Sequence, residues 1–155
     1  MSKAKLPKVS GLKISIKNLQ RKLPVSRRDL SLIKKIAVFI LSLKRISQGQ
    51  VNICIVDDKT IIGYNKKYLA HQGPTDCIAF NLTQPKKKEV LADIIISAER
   101  ALIVSGEFAT TPLDELYLYA AHGMLHIIGY DDKTWALRKA MNRKAQMIIK
   151  RLKAG

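Results

Sequence analysis

The stretch HGMLHIIGYDD, residues 122–132, holds two of the three histidines in the chain, spaced four positions apart. On a helix that spacing puts both imidazoles on one face a single turn apart, as two ligands of one metal ion require. Gly129 permits the backbone reversal that ends a helix, which lets Asp132 swing back toward the same ion. The pattern H-x-x-x-H-x-x-G-x-x-D therefore offers His122, His126 and Asp132 as ligands of one Zn2+ and leaves a position for water, as catalytic zinc sites do. Bound zinc can bring the pKa of such a water to about 7, which makes metal-bound water the expected nucleophile. No side chain identifies itself as a general base. The plainer alternative is a pair of core histidines; the glycine and trailing acid at ligand spacing argue against it.

Working outward, Thr111-Pro112 reads as N-cap and first residue of the helix that carries the histidines, with Asp114 and Glu115 in its first turn. That helix is expected over 112 to about 128. A last amphipathic helix is expected over about 134–152, with Trp135, Ala136, Met141, Ala145, Ile148 and Ile149 apolar and Arg138, Lys139, Arg143 and Lys144 open to solvent or phosphate. Asp131 suits an N-cap for it. Upstream, Leu12, Ile14 and Ile16 alternate as in a strand. Ser26 can cap a helix to about Ile46. Val51–Val56, Cys77–Leu82 and Val90–Ile96 read as further strands, with a short helix Thr60–Leu69 and a turn at Gly73-Pro74. A helix Glu99–Val104 is expected to stop at Ser105-Gly106. Residues 1–10 read as a basic tail and 11–155 as one domain of α+β class, a mixed sheet of about four strands packed with helices.

The chain has 155 residues, 47% of them apolar, enough for one core without disulfides. Lys and Arg number 28 against 12 Asp and Glu, a net charge of +16 that favours polyanionic partners. Charge alone does not choose among RNA, DNA and anionic membrane. Cys54 and Cys77 lie in apolar runs and read as buried thiols in a reducing compartment. No apolar leader follows the basic start and no apolar run is long enough to span a membrane, so a cytoplasmic protein with no membrane partner is expected. His71 reads as a loop residue, Asp76 as a turn cap or a residue orienting a ligand, and Tyr117, Tyr119 and Trp135 as core residues or base-stacking ones.

The histidine pattern is similar to the long zinc motif of metzincin proteases, except that Gly123 stands where those enzymes carry their glutamate base. It resembles far more fully the YbeY family of endoribonucleases. That family's H-G-x-L-H-x-x-G-Y-D-H is met by His122, Gly123, Leu125, His126, Gly129, Tyr130 and Asp131 in register. Asn65 and Tyr68, Pro74-Thr75-Asp76, Phe80 and Asp93–Ser97 look like its N-x-x-Y-R, P-T-D-V-L-S-F-P and G-D-I-x-I-S blocks. The resemblance covers about residues 50–150 and implies a zincin-like fold, His122 and His126 as metal ligands, and RNA, as rRNA or a ribosomal subunit, as partner. It implies a zinc-dependent, single-strand-specific endoribonuclease of rRNA maturation (16S rRNA 3′-end processing) and ribosome quality control.

Several positions depart from the family pattern. Asp132 replaces its third histidine, Leu69 its phosphate-contacting arginine, Ala79 and Asn81 its Ser and Pro, and Ala92 a glycine. Lys66, Lys67 and His71 are the candidate RNA or phosphate contacts near Leu69, as point charges or an imidazole rather than a bidentate fork. Two rival functions stand beside the nuclease: an RNA-binding ribosome-assembly factor with a structural or vestigial metal, and a metallohydrolase of another substrate.

Overall fold

The computed structural model describes residues 11–69 and 75–155, Leu69 by its backbone alone. The basic tail 1–10, the Gly73-Pro74 turn and His71 lie outside the described residues. The elements run β1 (Gly11–Asn18), α1 (Arg27–Ser42), β2 (Gln48–Val56), α2 (Asp58–Leu69), β3 (Cys77–Asn81), β4 (Val90–Ser97), α3 (Ala98–Phe108), α4 (Pro112–Ile127) and α5 (Trp135–Ala154). The sheet order is β1-β2-β4-β3, with β1, β2 and β4 parallel and β3 antiparallel at the edge. This is the α+β arrangement, a mixed four-stranded sheet packed with helices.

Alternation along the strands divides the apolar side chains between two faces. Val51, Ile53, Ile55, Ala92, Ile94 and Ile96 point into the main core with α1, α4 and α5. Val56, Ile78 and Ile95 point the other way and form a smaller cluster with Ile61 of α2. The helix α4 is central, with Leu116, Ala120, Met124 and Leu125 fully buried. Gly123 marks its closest approach to the sheet: a Cβ there would stand 2.8 Å from Ile94 Cγ2 and 2.9 Å from Cys77 Sγ.

Local capping chemistry explains most boundaries. Ser26 and Asp29 form a reciprocal capping box at α1. Thr111 accepts from the Asp114 amide at 3.1 Å, and Pro112 occupies the first turn of α4. Three expectations are corrected. First, α1 ends at Ser42 rather than Ile46, because Arg45 turns left-handed and the Ile46 amide donates back to Leu41 O. Second, α3 runs through Ser105-Gly106 to Phe108, where Ala109 takes the left-handed conformation instead. Gly106 there faces open space and is tolerated as an exposed helical residue. Third, the N-cap of α5 is Thr134, which accepts from the Leu137 amide at 3.1 Å. Asp131 instead accepts from the Lys133 amide at 2.7 Å, closing the turn before it.

Candidate metal centre

The end of α4 sets the centre. Gly129 has φ +103°, the Tyr130 amide donates to Leu125 O at 2.9 Å, and the Gly129 amide donates to His126 O at 3.0 Å. These two bonds are the Schellman stop. The reversal brings the Tyr130 carbonyl within 3.2 Å of His126 Nδ1. A carbonyl only accepts, so Nδ1 donates to it and Nε2 is the ring atom left to face a metal ion. That Nε2 lies 3.5 Å from Asp132 Oδ2.

His122 Nε2 lies 3.2 Å from Asn142 Oδ1 of α5, an acceptor that puts the proton on Nε2. Burial pushes the His122 pKa down, against the opposing pull of Asp76 and of the Asn142 bond. The downward shift favours the neutral imidazole, the form that ligates metals.

Among the described residues no three His, Cys, Asp or Glu side chains form one closed cluster. His126 and Asp132 are already paired, whereas His122 has to turn from Asn142 to join them. The His126–Asp132 pair nonetheless has the spacing of two zinc ligands. Two ligand atoms of tetrahedral Zn2+ with bonds of about 2.0–2.2 Å stand about 3.4 Å apart, close to the His126–Asp132 separation.

A depression of about 380 Å3 adjoins these groups. Asp76, His122 and Asp132 line it together with Trp135, Arg138, Lys139 and Asn142. The last four are at i, i+3, i+4 and i+7 on α5, so they share one face, a signal that helical spacing carries in the sequence. Trp135, expected on the apolar face, is 69% exposed, and the Lys139 ammonium lies 4.8 Å from its ring centroid. Its turn of α5 precedes Met141, where the helix first buries a side chain in the core. Tyr117 and Tyr119 are buried and belong to the core. Lys66 and Lys67 lie exposed on α2 and do not line this depression. Arg138 and Lys139 are the cations that do.

Gly123 faces the sheet, and a glutamate after the first histidine would press its Cβ against Ile94 and Cys77.

The endoribonuclease YbeY family model matches residues 15–153. The chain belongs to this family. Endoribonuclease YbeY of Pelotomaculum thermopropionicum is 30% identical over 146 residues, covering 90% of this chain and 96% of that one. The YbeY of Carboxydothermus hydrogenoformans is 32% identical over 137 residues, covering 88% and 95%. The solution structure of TM1509 from Thermotoga maritima shares the fold, with a TM-score of 0.62 at 24% identity over 90% of this chain and 88% of that one. Membership of the YbeY family makes the chain an endoribonuclease by class. No helix among the described residues is long and apolar enough to cross a membrane.

Proposed function

We propose that this protein is a zinc-dependent endoribonuclease that cleaves single-stranded rRNA during ribosome maturation in the cytoplasm, with His122, His126 and Asp132 holding one Zn2+. The observation that carries this reading is the His126–Asp132 pair at 3.5 Å, set by the Schellman stop beside a depression that Arg138 and Lys139 also line. When bound, zinc supplies Lewis acidity toward a phosphoryl oxygen and acidifies water.

The chain's own groups do the rest. Arg138 and Lys139 offset the charge that grows on phosphate oxygens as the diester is attacked. The exposed ring of Trp135 offers a stacking surface for a base beside the scissile bond. Tyr130 O fixes the tautomer and orientation of His126. Asp76, across from His122, draws positive charge toward the same depression.

The test is cleavage of a structured RNA containing single-stranded segments. Activity should disappear with a chelator, return with zinc, and be absent in His126→Ala. Full cleavage by a metal-free protein would overturn the reading. Tight RNA binding with no cleavage at any zinc concentration would assign the chain to RNA-binding assembly work instead.

A further inference from the structure

The outer face of the sheet, opposite α4, is only partly covered by α2. The pairing register lays side chains across it in rows: Lys17, Cys54, Ile95 and Ile78 in one, then Ser15, Asn52, Asp93 and Phe80 in the next. An open cavity of about 580 Å3 lies over these rows, lined by Asn52, Cys54, Asp93, Phe80, Tyr64 and Tyr68 among others. Its size falls within the range of about 300–1,000 Å3 typical of small-ligand clefts.

The wall of this cavity is aromatic. Tyr64 and Tyr68 stack with centroids 5.8 Å apart, and Tyr68 meets Phe80 edge-on at 5.8 Å. Tyr68 is nevertheless 54% exposed and Tyr64 38%. The floor is polar: the Asn52 amide donates to Asp93 Oδ1 at 3.0 Å, and Gln50 donates to Asn52 Oδ1 at 3.2 Å. The rim is basic. Lys67 Nζ lies 5.1 Å from the Tyr68 ring centroid, and the exposed Lys17 stands on edge strand β1 beside Cys54.

Exposed rings rimmed by polar groups mark interaction surfaces, and the flanking Lys17 and Lys67 on a chain of net charge +16 favour a polyanion among the candidates. Rings that stack bases, amides and carboxylates that meet base edges, and ammonium groups that meet phosphates are the parts of a single-strand-binding surface. We propose that this outer face is a second RNA-contact site, on which Tyr68 and its ring neighbours stack unpaired bases of the RNA substrate away from the metal centre. The proposal rests on RNA being the substrate. It gives Tyr68 and Lys67, which do not line the metal depression, a role in holding the strand rather than in cleavage.

The test is fluorescence anisotropy of a labelled single-stranded oligoribonucleotide, with chelator present so that binding is read without cleavage. Tyr68→Leu should weaken binding on the order of tenfold, whereas Tyr68→Phe and Tyr68→Trp should retain it. Lys17→Glu, an exposed change that leaves the packing intact, should also weaken it severalfold. Wild-type affinity in both Tyr68→Leu and Lys17→Glu overturns the platform while leaving the nuclease reading standing. Equal loss in Tyr68→Phe and Tyr68→Leu overturns it as well, since stacking would then not be the contact. A wild-type dimer that Tyr68→Leu dissociates would assign the face to a second copy of the chain. Wild-type protein that neither binds nor cleaves single-stranded RNA overturns the substrate reading and the platform with it.

Discussion

His126 Nε2 and Asp132 Oδ2 stand 3.5 Å apart across the reversal at Gly129, with the Tyr130 carbonyl behind the imidazole on Nδ1. A histidine so oriented offers a lone pair, and a carboxylate beside it offers a negative oxygen, so the two converge as donors to a cation. Asp132→Ala should lower zinc affinity by at least about 100-fold, whereas Asp132→His should retain it. Competition against a chromophoric chelator reads both; unchanged affinity in Asp132→Ala would remove this residue from the site.

Gly129→Ala should weaken metal binding and stability together. At φ +103° an alanine is strained, at about 1–2 kcal/mol, and relaxation of the turn would withdraw the Tyr130 carbonyl from His126. Urea unfolding and zinc titration of the same variant give the two numbers.

Gly123→Ala should destabilise the fold by about 1–3 kcal/mol, since its methyl group meets Ile94 and Cys77. Adding Cys77→Ala removes one of the two clashing atoms, so the double variant should regain part of the loss. Thermal melts of the three proteins check this; additive losses would show that Cys77 is not the obstacle.

Acid should expose the α1 capping box. Asp29 is pushed up by burial, but Tyr117 donating at 2.6 Å and the Ser26 amide at 2.7 Å outweigh this and hold its pKa below the ordinary 3.8. A depressed carboxylate contributes stability above its unfolded value and loses it as pH falls through the folded one. Asp29→Asn should therefore be less stable than wild type at pH 7, and the difference should shrink below about pH 4. Denaturant midpoints across pH 2–7 measure it.

Arg138 and Lys139 should set part of the salt dependence of RNA binding. Replacing both with Ala should flatten the plot of log affinity against log salt by about 0.7 for each phosphate of a single strand that the protein no longer neutralises. Cleavage should fall with it, on the order of tenfold. A slope identical to wild type would place the phosphates elsewhere.

Features governed by local chemistry were legible in the sequence. The Thr111-Pro112 start of α4, its stop at Gly129 and the i, i+4 histidines each follow from a residue and its immediate neighbours. Ala109 was not legible, because alanine carries no preference for the left-handed conformation it takes, whereas the glycine three residues earlier does. The ring of Trp135 points to the apolar face in the sequence, yet its turn of α5 lies ahead of the buried stripe that begins at Met141. Asn142 opposite His122 joins residues on different helices, and only the packing of α5 against α4 brings them together. The outer-face rings combine residues of α2 and β3 that no single periodicity connects.

The tight seat of Gly123 also bears on descent. A glutamate acquired after the first histidine in a lineage with this helix would carry a packing cost from its first carbon, because its Cβ would press on Ile94 and Cys77. Relief would come from a shift or a smaller side chain at those two positions. Two side chains beneath a helix thus set a packing cost between the present architecture and one that places a glutamate base after its first histidine.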